Sequence, residues 1–288
     1  MGASAKSSLL PYLSKLPLRR PLLCLLILLP LVGTLVAFMA PQSYPPGNLK
    51  ILPRSVYENG EKLEYRVHYG FFNAGEATLT IADRYYKLED KPCYRIEIFG
   101  RSTGAFDKII RIRDTWGSYV DTNALKPLKS FRNVEENKYR LKEEVFYNYE
   151  DKVARIEVKD KETKNMPIPD PVQDIVSGYY FLRQIDYNRM KPGEVVSMNA
   201  FFDKELYPFK VRYVGRETIK TKFGKVKTIV ISPIMPANGM FDGENSIRLW
   251  MSDDAARIPL KVRAELYVGA VELDIKNYEN IRGTLAKG

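Results

Sequence analysis

Few residues in this chain are equipped for catalysis. It has one histidine, His68, and two cysteines, Cys24 and Cys93. A zinc site of His and Cys takes three or four ligands, which this inventory barely supplies. A Ser–His–Asp or Cys–His mechanism would have to run through His68. In EKLEYRVHY, strict alternation sets His68 beside Glu64 and Arg66 on the polar side of a strand. The sequence places no acid and nucleophile around it. Asp253 and Asp254 follow Trp250 in LWMSDDAARIP. Two adjacent carboxylates lack the further oxygen ligands of a calcium loop, and a hairpin turn with carboxylates on backbone amides fits better. The G-x-G-x-x-G, Walker A, G-x-S-x-G and H-E-x-x-H motifs are all missing. The expectation is therefore no catalytic residue, no metal and no cofactor. The aromatics carry more promise. Trp116, Tyr179, Tyr180 and Trp250 read first as core, and second as candidate walls of a cavity or contact surface for an apolar ligand.

Those aromatics sit in elements of two kinds. The dominant pattern has period two. Leu63, Tyr65, Val67 and Tyr69 alternate with Lys62, Glu64, Arg66 and His68, and Ala77, Leu79 and Ile81 alternate with Glu76, Thr78 and Thr80. With FFNAG as the turn, these two segments form a hairpin. The same pattern marks Tyr94–Ile98, Val145–Tyr149, Ala154–Val158, Val195–Phe202, Phe209–Val214, Lys225–Ile231, Ile247–Met251, Leu260–Leu266 and Tyr267–Ile275. One wet and one buried face is the antiparallel habit. A single segment breaks the period: after Asp170-Pro171, the residues Val172, Ile175, Val176, Tyr179 and Leu182 share a helical stripe. Asp170 fits the N-cap and Pro171 the first helical position. Gly178 in mid-helix costs about 1 kcal/mol relative to Ala and suggests close approach to another backbone. The predicted fold is mainly β: a large curved antiparallel sheet or half-open barrel with one central helix packed against it, plus an N-terminal transmembrane helix.

The charge divides along the chain. Of 45 basic residues, Lys6, Lys15, Arg19 and Arg20 fall in the first forty positions, where there is no Asp or Glu; 41 basic and 35 acidic residues remain from Pro41 onward. Basic and acidic residues are mixed there, so the excess reads as a solvated surface, and no nucleic-acid partner is expected. Leu22 to Met39 is almost continuously apolar and long enough to span a bilayer. The basic flank places the N-terminus in the cytoplasm. Phe38 or Leu35 at the −3 position makes a poor cleavage site, which favours an uncleaved signal anchor over a cleaved signal peptide. The divisions are then a basic N-terminus (1–20), an anchor or signal (21–40), a Pro-rich linker (41–54), an exported β-rich domain (55–280) and a C-terminal tail (281–288). The expected location is the inner membrane, with the domain in the periplasm, or the periplasm itself where the N-terminal segment is cleaved. Cys93 stands alone in that domain and reads as a small buried hydrophobe.

Four phrases point to a family: GEKLEYRVHYGFFNAGEATLTI (Gly60–Ile81), DIVSGYYFLRQI (Asp174–Ile185), GRETIKTKFGKVKTIVISP (Gly215–Pro233) and IRLWMSDDAARIPLKVR (Ile247–Arg263). In this order they resemble the bacterial exported family called domain of unknown function 3108. The resemblance implies a secreted β-rich domain and no established activity. A looser likeness, at the level of fold, is to carriers of the lipoprotein-localisation type, which are half-open barrels with an apolar cavity. The expected function is non-enzymatic: a membrane-anchored envelope protein whose domain binds a lipid, lipoprotein or other apolar envelope ligand. The alternative is an assembly or interaction protein with a filled core, in contact with envelope proteins. A carboxylate-based glycan enzyme ranks third.

Overall fold

A computed structural model describes residues 50–235, 244–266 and 269–288. The described residues build one antiparallel sheet of 15 strands. The first group comprises β1 (Lys62–Tyr69), β2 (Phe72–Ile81), β3 (Tyr86–Leu88), β4 (Lys91–Ser102), β5 (Arg113–Asp121), β6 (Pro127–Glu136), β7 (Tyr139–Asn148), β8 (Val153–Val158) and β9 (Lys164–Pro167). A short helix, α1 (Gly104–Ile109), joins β4 to β5, and α2 (Ile175–Gln184) separates the two groups. The second group is β10 (Val195–Phe202), β11 (Glu205–Thr221), β12 (Gly224–Pro233), β13 (Ile247–Ser252), β14 (Pro259–Glu265) and β15 (Ala270–Glu279).

β15 pairs with β1 and joins the groups into one path that runs from β10 round to β9, with β3 as a flap on β4. The two end strands do not pair with each other. A seam is left, and among the described residues a parallel bridge joins Gln173, just before α2, to Ala200 of β10. Because neighbouring strands are antiparallel, their connections alternate between two rims. The β1–β2, β4–β5, β6–β7, β8–β9, β10–β11 and β14–β15 connections share one rim.

Alternation decides which side chains enter the core. Leu63, Tyr65 and Val67 of β1 are buried and join the main cluster with Ile96, Ile98, Ile229, Ile231, Leu249 and Met251. Seven of the ten residues of α2 are buried against the inner face. A second, smaller cluster spans the seam. There Val145, Tyr147, Ile156 and Val158 of β7 and β8 meet Phe201 of β10.

The helix starts later than its sequence suggests. Its N-cap is Asp174, which accepts from the amides of Val176 and Ser177, while Ser177 Oγ accepts from the Asp174 amide in a capping box. Asp170 lies outside the helix and pairs with Lys126 at 2.6 Å, and Asp170-Pro171 is a cis peptide. Gly178 meets no other backbone: a Cβ there would stand 3.5 Å from the Gln173 Cβ, an ordinary contact. The first hairpin turns at Gly70 (φ 56°), earlier than FFNAG, so that Phe72 already belongs to β2. Of the segment read as Tyr267–Ile275, the part from Ala270 onward is strand, and Tyr267 and Val268 lie outside the described residues. Strands β5 and β6 were not predicted. Buried Asp114, Ser118 and Arg132 occupy their inward positions and erase the apolar alternation. The apolar stretch at 21–40 lies outside the described residues, among which no helix is long and apolar enough to cross a membrane.

Candidate functional site

The predicted residues do not come together. Tyr180 is fully buried, and Tyr179 is half-buried beside it with ring centroids 5.9 Å apart. The two surround a buried ion pair rather than a cavity. Arg183 donates to both oxygens of Glu61, at 2.6 and 2.7 Å, and to the Ala256 carbonyl at 2.8 Å, while its guanidinium lies over the rings of Tyr57 and Tyr180. Burial disfavours the charged guanidinium, but the Glu61 carboxylate outweighs it and holds the Arg183 pKa above its ordinary value. Trp250 lies on the other face of the sheet. It alternates with Leu249 and Met251, which enter the core, and its indole N–H donates to Glu217. It is therefore corrected from cavity wall to outer-face packing. Asp254 makes the expected turn: it accepts from the amides of Ala256 and Arg257, and its second oxygen takes the Ala286 amide of the C-terminal tail. His68 faces Asp274 at 3.8 Å on the outer face. Cys93 is buried and unbridged, and burial pushes its thiol up to about 11.

Trp116 alone leads to a site. Its ring stacks on Phe202 with centroids 5.7 Å apart, and the Arg132 guanidinium covers both rings. Phe202 ends β10, so this stack brings the tip of the β10–β11 hairpin across the seam onto β5 and β6. Arg132 fixes the tip electrostatically. It donates to both Glu143 oxygens at 2.7 and 3.1 Å and to Asp203 at 2.9 Å. Arg132 and Glu143 are buried, whereas Asp203 is half exposed. Burial opposes the charge on Arg132, and the two carboxylates more than restore it, so its pKa is raised.

Behind the tip is a cavity of about 40 Å³, bordered by Trp116, Arg132, Glu143, Tyr147, Asp174 and Phe202. That is room for one or two waters. The Trp116 indole nitrogen has no hydrogen-bond partner. Both buried carboxylates here are engaged: Glu143 by Arg132, and Asp174 by Ser118 Oγ at 2.6 Å and two helix amides. Desolvation raises the Asp174 pKa, and those hydrogen bonds pull it back. Beyond this small cavity, the residues of the helix and the inner face of the sheet pack into the buried core.

The space is outside, along the seam. A recess of about 400 Å³ has Ile156 and Val158 as its floor, and Lys161, Glu162, Lys164 and Lys204 around it. Ile156 of β8 and Lys204 of the hairpin tip border both recess and cavity. Lys204 and Asp203 form a two-residue turn with φ 67° and 48°, the left-handed conformations that a tight hairpin of this twist requires. The sequence reading missed Arg132, Glu143, Asp203, Lys161, Lys164 and Lys204. No motif marks them, because they gather from three strands and two turns. The available signal was Glu143, a charged residue in phase with the buried alternation of Val145 and Tyr147.

An antiparallel barrel left open at one seam and filled by its own helix defines a β-barrel-like domain. Residues 64–276 match the family described as protein of unknown function (DUF3108), and the chain belongs to that family. No curated protein matches it in sequence. Its fold is similar to that of the β-barrel-like DUF1849 protein of Brucella abortus, with a TM-score of 0.54 and 8% identity over 79% of this chain and 100% of that one. A weaker likeness, TM-score 0.33 and 8% identity over 80% and 91%, is to the hypothetical protein CT021 of Chlamydia trachomatis.

Proposed function

We propose that this chain is an exported, membrane-anchored envelope protein that binds an anionic amphiphile, a single acyl chain with an acidic head, in the seam recess. The carrying observation is the recess itself. Its volume of about 400 Å³ lies within the roughly 300–1,000 Å³ of small-molecule sites. Its floor is two branched apolar side chains, and three of its four charged neighbours are lysines. An acyl chain laid on Ile156 and Val158 is removed from water, while a carboxylate or phosphate head meets Lys161, Lys164 and Lys204. The apolar run at 21–40 supports export and anchoring.

The test is displacement of a fluorescent fatty acid, cis-parinaric acid, from the delipidated full chain in mild detergent. Saturable binding is expected, and charge reversal by Lys161→Glu, Lys164→Glu and Lys204→Glu together is expected to weaken it at least tenfold. Affinity unchanged by the triple reversal would contradict the reading.

A further inference from the structure

The tip of the β1–β2 hairpin is unlike the remainder of the described surface. Phe71 is completely exposed, at 103%, and Phe72 is exposed at 61%. Gly70, in the left-handed region, makes the turn, with Phe71 at its tip and Phe72 opening β2. Tyr69 to Gly75 carries no charge. Beside the tip stands α1, which is anchored by the Thr103 amide donating to the Ala74 carbonyl and by an edge contact of Phe106 with Tyr69. Its Ile109 is 57% exposed and adds a third apolar side chain. The flank is basic: residues 101–113 hold Arg101, Lys108, Arg111 and Arg113 against one acid, Asp107. Asp107 is bound by Arg113 at 2.7 Å, and nearby Glu76 is bound by Arg101 and Lys276.

We propose that this tip is a membrane-docking surface, with Phe71 and Phe72 entering the headgroup layer of an anionic bilayer and the basic flank of α1 resting on it. Two protruding rings and an isoleucine fall far short of the roughly 800 Å² per partner of a standard protein interface. A bilayer needs no matching shape. It accepts aromatic rings at headgroup depth and draws in the surrounding cations. The tip shares a rim with the β8–β9 and β10–β11 turns that edge the recess, so docking there turns the recess toward the lipid. The inference stands on exposure and charge at the tip and does not require that the recess bind anything.

The test uses the full chain in nanodiscs of phosphatidylglycerol with brominated acyl chains. Trp116 and Trp250 are buried and supply a constant background. Phe71→Trp is expected to emit in the blue and to be quenched by the brominated lipid at least twofold more than Phe99→Trp, a mid-strand control on β4. Added Lys108→Glu and Arg111→Glu should remove most of that difference. Emission and quenching equal to the control would overturn the proposal. So would an unquenched tryptophan that turns blue only when envelope proteins are added, which would give the tip to a protein partner.

Discussion

Replacing Arg183 by methionine leaves the buried Glu61 carboxylate without its partner. Breaking a buried pair in this way costs about 3–5 kcal/mol, and chemical denaturation should show a loss of that size for Arg183→Met. Removing both charges with Glu61→Leu should recover most of it, because a well-packed apolar pair replaces a desolvated ionic one. At the surface, Asp107 is held down to about 2 by Arg113 and by the Ser102 hydroxyl. Its folded pKa lies below the unfolded value of about 3.9, so its contribution is complete above pH 5 and fades as pH falls toward 2. Hydrogen exchange in α1 should therefore speed up over that window relative to the barrel strands, and Asp107→Asn should be fast at every pH. Cys93 behaves oppositely: burial holds the thiol protonated up to about 11. The folded protein at pH 8 should leave Cys93 unalkylated by iodoacetamide, as read from its peptide mass, and unfolding should expose it. The sequence had already marked Cys93 as inert and Asp254 as a turn residue, since both follow from local chemistry. Arg183 and Glu61 were not legible, being 122 positions apart.

The β10–β11 hairpin is the element on which the site turns. Lys204 is held at φ 67°, a conformation that costs a residue with a side chain on the order of 1 kcal/mol. Lys204→Gly should leave stability unchanged or raise it by up to about 1 kcal/mol in a urea titration, and should still weaken binding of the anionic probe. If stability and binding fall together, Lys204 is a structural residue and its place at the recess is incidental. Asp203→Ala should loosen the tip with little global effect, because Arg132 keeps Glu143 and exposed ion pairs contribute only about 0–1 kcal/mol. Strands with apolar alternation, such as β1 and β8, could be read directly. β5 and β6 could not, because they carry the buried polar residues of the site, and the same residues both hide the strands and build the latch. The helix was legible as an element but not in its start, since a capping box on Asp174 competes with an equally plausible Asp170-Pro171.

At the scale of the whole molecule, the chain solves a closure problem by leaving one edge pair unjoined. The fifteen strands wrap around α2, and the seam between β9 and β10 is covered by a hairpin tip rather than by a ladder. The mainly β, half-open architecture was readable from period-two segments and one amphipathic helix. The position of the opening was not, because it depends on which strands end the sheet, and that is a property of pairing order rather than of any segment. The ligand proposed above therefore lies at the seam and not under the helix. Native mass spectrometry of the full chain, released from membranes in mild detergent, tests this most directly. The account predicts a bound acyl anion on the parent protein and its loss on simultaneous charge reversal of Lys161, Lys164 and Lys204. A parent protein that carries no such ligand and takes up none when offered fatty acid, or a ligand retained by the reversed variant, would contradict it.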